Sequence, residues 1–236
     1  YDKAHLNDDH LGYEQIQYLY ARSYFKDISI SNRNQKAFDY YFGQAKKYWL
    51  SKGRYMQGMI ALGLNRYNEK LIPKDIMKSL KENSLNSEEM GMYWNENKTG
   101  YYWNQSQVET QSAIIEFFTA FGGLDKEVQQ MQLWLLQQKR SNAWETTKAT
   151  TTACHVLLVN KTAIQNQLGQ VVKVKMGDGT DLGTLKKDAG STFTWTGKDI
   201  TSGKASVTVN TLNEQPVFGA IHFQYLEDMN KITKSV

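Results

Sequence analysis

The feature that most constrains the fold is a change in the spacing of apolar residues near residue 160. Before this point apolar residues recur every three or four positions, as one face of an α-helix requires. After it they alternate with polar residues, as in the Val-Lys-Val-Lys-Met run that begins at Val172, and this is the repeat of a β-strand. We therefore predict an α+β chain of two domains, a helical domain at 1–160 and a small antiparallel β-domain at 161–236.

The helical spacing predicts seven helices. Pro73 suits the first turn of a helix, and Gly122-Gly123 followed by Asp125 is typical of one helix ending and the next being capped. The chain contains only two prolines, which permits long uninterrupted helices. The predicted helices lie near 11–25, 36–51, 54–66, 73–85, 107–121, 125–138 and 147–159.

Two triplets rich in aromatic residues interrupt the helices, at 92–94 and 101–103. They flank a polar stretch that ends in Gly100, so we predict a β-hairpin near 92–103. Exposed rings here can stack on sugars or contact a partner. Packing of the hairpin onto the helices also explains them, and we favour packing because large aromatic residues are mostly buried. The candidate partner-binding residues are Trp94, Tyr101, Tyr102 and Trp103.

Period-2 alternation and glycine-containing turns continue through the second domain. Gly177-Asp178-Gly179 and Gly197-Lys198-Asp199 are typical turn sequences between strands. The arrangement predicts a β-sandwich-like domain of antiparallel strands. The predicted strands lie at 172–176, 193–195, 206–209 and 217–225.

The helices also contain a repeated pattern. Tyr48-Trp49-Leu50 and Leu133-Trp134-Leu135 each close one helix before a basic loop and another helix, and they are 85 positions apart. This offset fits two units of about 40 residues, the size of a helical hairpin repeat. Stacked hairpins either spiral as a solenoid or close into an α/α toroid, and seven helices are about half of a closed ring. We therefore predict a partial toroid and expect the sequence, which begins at Tyr1, to be a section of a longer protein.

Composition excludes several classes of function. Lys and Arg outnumber Asp and Glu by only 28 to 24, and the basic residues are scattered, which argues against nucleic-acid binding. The single cysteine, Cys154, excludes an internal disulfide and a multi-cysteine zinc site. No apolar run reaches the ~20 residues that a membrane span requires. We predict no cofactor and no metal site.

The sequence contains no recognisable catalytic constellation. Glu109 opens a helix, where the helix dipole favours a carboxylate, but no partner carboxylate or histidine is evident for it. Cys154 and His155 are adjacent and point about 100° apart on a helix, so they cannot act as nucleophile and base, and we expect Cys154 to be buried. Trp144-Glu145-Thr146-Thr147 is typical of an aromatic residue followed by a helix N-cap. We predict that the chain is not an enzyme.

The region 101–158 resembles a known protein family. It contains Val-Glu-Thr-Gln at 108–111, Trp-Leu-Leu at 134–136 and Trp-Glu-Thr-Thr at 144–147. This order resembles the second half of the helical thioester domain of bacterial, Bacteroidetes-type alpha-2-macroglobulins. The aromatic hairpin is similar to the one that precedes this pattern there, and the stretch 217–228 is similar to the strand that follows the toroid.

The resemblance implies an extracytoplasmic protein of many domains, located in the periplasm or anchored to the envelope, for example as a lipoprotein. Such a protein entraps proteases through a conformational change, so its partners are proteases and the other macroglobulin-type domains of the same chain. The β-domain is then macroglobulin- or CUB-like. Members with a thioester carry a Cys-x-Glu-Gln motif, which this sequence lacks, so the resemblance implies no covalent capture by the residues present here.

Two other functions fit the same residues. α/α toroids also carry polysaccharide-degrading enzymes whose cavities are lined by Tyr, His, Glu or Arg, although half a ring and unpaired acidic residues argue against that activity here. The remaining alternative is a carbohydrate- or peptide-binding module that uses the hairpin aromatics.

Overall fold

The computed structural model describes residues 5–95, 107–141, 144, 146–158, 172–185 and 193–211. The chain divides into two compact units, Tyr1–Lys161 and Thr162–Val236. In the described residues the first unit is mostly helical and the second contains a small antiparallel sheet. The predicted α+β class is therefore confirmed.

The described part of the helical unit contains seven α-helices, as predicted. The largest difference from the prediction is at the start of the second helix, which begins at Asn32 and not at residue 36. The sequence pattern missed this turn because residues 32–36 are entirely polar and carry no apolar signal. A 3₁₀ turn at Trp49–Ser51 follows this helix. None of the described helices is long and apolar enough to cross a membrane. The helices are α1 (Tyr13–Arg22), α2 (Asn32–Tyr48), α3 (Arg54–Arg66), α4 (Leu71–Glu82), α5 (Gln107–Phe121), α6 (Asp125–Ser141) and α7 (Thr147–Leu158).

The helices alternate between a central row and outer positions. Helices α1, α3, α5 and α7 contact one another in that order, and α2, α4 and α6 each pack beside the central helix that precedes them. Gly63 of α3 lies against Leu19 of α1, and further along the chain in each case Arg66 contacts Ser23. Likewise Gly58 lies against Ala113 of α5, and seven residues further along Asn65 contacts Ala120, so the first three central helices run in the same direction. Their N-terminal ends therefore lie together, and the residue before α7 lies there too, because Thr146 contacts Glu109.

Helices α3 and α5 form the centre of the core because each has central neighbours on both sides. Nine consecutive residues of α3, Gln57–Asn65, are buried, and so are the seven residues Glu109–Ile115 of α5. By contrast, α1 buries only Ile16 and Leu19. The buried stretches of α3 and α5 therefore face the core on all sides, unlike a surface helix, whose apolar residues form a stripe along one side.

A two-stranded antiparallel hairpin lies between α4 and α5. Its strands are β1 (Leu85–Ser87) and β2 (Gly91–Tyr93). The predicted strand at 92–94 is therefore largely present, but its described partner is the segment before it, and 101–103 lies outside the described residues. The sequence pattern missed β1 because its three residues are all exposed and show no apolar alternation.

The described part of the second unit contains a three-stranded antiparallel sheet. Strand β3 (Val172–Met176) lies between β4 (Asp181–Leu185) and β5 (Val207–Thr211). Val174 and Met176 are buried while the lysines between and before them are exposed, which is the alternation that identified the strand. The predicted strands at 172–176 and 206–209 are confirmed apart from their exact ends.

The strand predicted at 193–195 is wrong. Phe193 and Trp195 stack on each other with ring centroids 6.3 Å apart, and Lys204 lies 5.8 Å from the centre of the Trp195 ring. The alternation therefore came from an aromatic pair two residues apart and not from a strand. The predicted strand at 217–225 lies outside the described residues, and the sandwich-like architecture stays a prediction.

Asp178 organises the turn between β3 and β4. Its carboxylate accepts a hydrogen bond from the backbone N–H of Thr180 at 2.9 Å and from Nζ of Lys204 at 3.0 Å. These donors, with Thr180 the larger contributor, hold the pKa of Asp178 at about 2. The predicted turn at Gly177-Asp178-Gly179 is confirmed, and its last glycine has a φ of +87°.

Replacing Lys204 with Met should raise the pKa of Asp178 but leave it below the ordinary 3.8, because the bonds from Thr180 remain. Since the folded pKa is depressed, the carboxylate stabilises the unit above about pH 4, and this stabilisation is lost as the pH falls through 2. An NMR titration of the Asp178 carboxyl carbon measures the shift. Lys198→Met, at an exposed lysine on a neighbouring turn, is the control, and an unchanged pKa in Lys204→Met contradicts the assignment.

Gly91 is a position where β2 comes very close to α6. Its φ is +74°, and a Cβ there would lie 2.1 Å from the backbone oxygen of Gln130. Gly91→Ala should lower the free energy of unfolding by about 3 kcal/mol, through left-handed backbone strain and overlap with that oxygen. Urea unfolding followed by circular dichroism measures the loss.

Gly123→Ala is the matched control for this substitution. Gly123 also has a positive φ, +70°, but a Cβ there would meet nothing within 4 Å. Its cost should therefore be the backbone strain alone, about 1 kcal/mol. Equal losses in the two variants would show that the close approach at Gly91 contributes nothing.

Candidate functional site

The structure places Trp94 in the core. Its side chain is 1% exposed, and its indole N–H donates a 3.0 Å hydrogen bond to the backbone oxygen of Leu80. The neighbouring Tyr93 stacks on Trp134 with ring centroids 6.3 Å apart. Trp94 therefore packs the hairpin onto the helices and offers no ring face to a partner, which corrects its selection as a contact residue. Tyr101, Tyr102 and Trp103 lie outside the described residues.

A first polar cluster lies towards the C-terminal ends of the central helices. We call it the carboxyl-end cluster, and it consists of Tyr20, Tyr24, Arg66 and Glu116. The carboxylate of Glu116 accepts hydrogen bonds from the hydroxyl of Tyr20 at 2.8 Å, from Nη2 of Arg66 at 2.9 Å and from the hydroxyl of Tyr24. The carboxylate of Glu116 on α5 is thus hydrogen-bonded to side chains of both neighbouring central helices, α1 and α3.

The electrostatics of this cluster oppose acid–base chemistry. Burial, and then the neighbouring Glu116 carboxylate, raise the pKa of both Tyr20 and Tyr24. The guanidinium of Arg66 also lies 3.7 Å from the centre of the Tyr24 ring. A tyrosine that serves as a base must lose its proton near neutral pH, and these two are held protonated. The cluster can therefore join α1, α3 and α5, but it is poorly suited to proton abstraction.

A second polar cluster lies at the N-terminal ends of the central helices. We call it the amino-end cluster, and it consists of Tyr13, Tyr55, Glu109, Thr146 and Lys148. Glu109 is only 4% exposed, and one of its oxygens accepts a long, 3.4 Å hydrogen bond from Thr146. Its other oxygen, Oε2, is buried and has no hydrogen-bond partner among the described residues.

Two tyrosines and a lysine from the neighbouring helices complete the cluster. The rings of Tyr13 and Tyr55 stack with centroids 6.5 Å apart, and Nζ of Lys148 lies 5.2 Å from the centre of the Tyr55 ring. Burial raises the pKa of Tyr13 to about 12; Tyr55 adds to the shift, and Lys148 opposes it. Burial likewise raises the pKa of Tyr55, with the Glu109 charge contributing. Both tyrosines are therefore neutral at physiological pH.

The sequence pattern pointed to Glu109 alone and not to the other residues of the amino-end cluster. Its members lie in the first turns of α1, α3, α5 and α7 or, for Thr146, just before one. The signal was present, because each member lies within two residues of a predicted helix start. What the sequence lacked was the parallel packing that brings those starts together.

Two other positions considered in the sequence can now be described. Thr146 is the N-cap of α7, because its hydroxyl oxygen accepts a hydrogen bond from the backbone N–H of Ala149 at 2.9 Å. Cys154, expected to be buried, is only half-buried, so that expectation was wrong. Within the described ranges, no group of three or more His, Cys, Asp or Glu side chains is arranged to hold a metal ion.

Comparisons of the chain with protein-family models, curated proteins and solved structures give no match. Membership of the alpha-2-macroglobulin family therefore stays a prediction from the sequence. The chemistry of the two clusters and the packing of the helices carry the functional interpretation.

Glu116→Ala should lower the free energy of unfolding by about 2 kcal/mol, because it leaves the half-buried Arg66 without its carboxylate and removes the acceptor of two tyrosine hydroxyls. Glu82→Ala is the control, since Glu82 pairs with Lys78 at 3.8 Å in a well-exposed position, worth at most about 0.5 kcal/mol. Chemical unfolding compares the two variants. Equal shifts of the unfolding midpoint would show that the carboxyl-end cluster stabilises no more than a surface pair.

Proposed function

We propose that this chain is part of an alpha-2-macroglobulin-like extracytoplasmic protein and that its helical unit is a section of an α/α toroid. The unit supports protease entrapment by the whole protein and has no catalytic activity of its own. The observation that carries this proposal is the alternation of central and outer helices, because each successive hairpin adds one central helix and one outer helix. Toroids and solenoids grow by this kind of packing.

The carboxyl-end cluster supports a curved central row. Tyr20 and Glu116 belong to α1 and α5, the two helices that flank α3, and they share a 2.8 Å hydrogen bond. Packed helices lie roughly 8–10 Å apart, so a bond between the two flanking helices draws them together on one face of α3. A row whose alternate helices meet on one face bends towards that face, as a closing ring requires.

The placement of the acidic residues favours a non-catalytic unit over a polysaccharide-degrading enzyme. Glu109 and Glu116 are seven residues apart on α5, which separates them by about 10 Å along the helix axis. The two carboxyl groups of a glycosidase lie about 5–9.5 Å apart, and neither is saturated by fixed donors as Glu116 is. The binding-module alternative is also less well supported, because Trp94, one of its candidate contact residues, is buried in the core.

Protease entrapment by this unit is conformational. A helical section clamped by the carboxyl-end cluster moves as one rigid body when cleavage elsewhere in the protein releases strain. The partners in this proposal are proteases and the macroglobulin-type domains that surround the unit. The setting is the periplasm or the envelope.

The whole protein that contains this chain should protect large substrates, but not small ones, from an endopeptidase. A trapped protease still reaches a short fluorogenic peptide, whereas a folded protein substrate cannot reach the enclosed active site. The test therefore compares the cleavage rates of both substrates as the protein is titrated into the protease. Equal inhibition of the cleavage of both substrates would indicate blockage of the protease active site. No inhibition of the cleavage of either substrate would contradict the proposal.

A matched pair of variants links the assay to this unit. Glu116→Ala, which weakens the clamp, should reduce protection of the large substrate in the whole protein, while Glu82→Ala should not. If both variants protect as well as the unmodified protein does, the rigidity of the helical unit plays no part in entrapment.

A further inference from the structure

We propose that the amino-end cluster binds an alkylammonium group, of the kind carried by a lysine side chain on a partner protein. Glu109 supplies the negative charge, and Tyr13 and Tyr55 supply the aromatic faces. Such a site is independent of the macroglobulin-type function.

The carboxylate of Glu109 has unused capacity to accept hydrogen bonds. It is 4% exposed, its Oε1 accepts one long bond from Thr146, and its Oε2 has no partner among the described residues. An ionised carboxylate offers about four acceptor sites, and leaving such a group unpaired away from water is costly. The strongest donor for it is a charged one, because charge-assisted hydrogen bonds are about twice as strong as neutral bonds. An ammonium group with three N–H donors meets this need.

The aromatic part of the cluster already attracts an ammonium group. Nζ of Lys148 lies 5.2 Å from the centre of the Tyr55 ring, within the ~6 Å range of a cation–π contact. Tyr13 stacks beside Tyr55 and extends the aromatic surface. Lys148 itself is exposed. Aromatic rings combined with an acidic side chain select a cation over a neutral group of the same shape.

Trp144 provides a second observation of the same kind nearby. It precedes Thr146 by two residues, and Nζ of Lys139 lies 5.5 Å from the centre of its ring. Its indole N–H is buried and has no acceptor among the described residues. A lysine in a peptide carries a side-chain ammonium group, which is a donor for Glu109, and a backbone carbonyl at the other end of its four-carbon chain, which is an acceptor for this indole.

The charge of Glu109 decides whether a cation binds here. The N-terminal ends of the central helices carry partial positive charge, which by itself disfavours a cation. Without the carboxylate, the site should therefore lose its affinity even though its rings remain. Glu109→Gln keeps the shape and the acceptor oxygen but removes the charge.

The test is an NMR titration of the protein, with its tyrosine rings labelled, by N-acetyl-lysine methylamide. N-acetyl-norleucine methylamide, which lacks only the ammonium group, is the matched ligand. We expect a saturable shift of the Tyr13 and Tyr55 signals with the lysine compound alone. Glu109→Gln should weaken binding about tenfold or more, and Lys148→Met, which removes the competing ammonium, should strengthen it.

Glu116→Gln, at the other end of the same helix, is the control variant and should leave the affinity unchanged. The proposal is overturned if the norleucine compound shifts the same signals equally, if neither compound does so, or if Glu109→Gln binds as tightly as the unmodified protein. Should Glu109→Gln fail to fold by circular dichroism, the comparison of the two ligands on the unmodified protein decides the question.

Discussion

The close packing of α3 between α1 and α5 is the interaction on which the helical unit depends. Gly63 lies against Leu19, and Gly58 lies where a Cβ would come within 3.3 Å of Ala113. Because these two positions carry no side chain, both neighbours approach α3 closely and nine of its residues lose contact with water. Burial of apolar surface is the dominant favourable term in folding, so this contact determines the spacing of the central row. The outer helices then cover what the row leaves exposed.

The parallel packing of the central helices also separates the polar side chains of the unit into two clusters, one at each end of the row. Parallel central helices place their first turns together and their last turns together, so side chains far apart in sequence meet at each end. Glu116 at one end receives hydrogen bonds from a tyrosine pair and from Arg66, which link α5 to α1 and α3. Glu109 at the other end receives one long bond from Thr146. Two glutamates on one helix thus differ in the number of donors that surround them.

The sequence predicted the helices well because their apolar spacing is a local property. It failed where the deciding contacts are distant or the pattern is weak. The segment Leu85–Ser87 has no alternation and becomes a strand only by pairing with β2. Phe193 and Trp195 alternate like a strand, yet their rings stack on each other. Residues of the amino-end cluster come from four helices, and only the parallel row brings them together, so a single glutamate at a helix start was all that the pattern could indicate.

A buried carboxylate with a single hydrogen bond needs a physical reason to persist. The N-terminal ends of α5 and its neighbours carry partial positive charge, which attracts a carboxylate. Helix dipoles act over the first turn, and Glu109 lies in that turn of α5. The aligned ends therefore offset part of the desolvation without using the lone pairs of Oε2, since a dipole stabilises charge without forming a hydrogen bond. A carboxylate placed in this way keeps an oxygen open to a donor that the described residues do not provide.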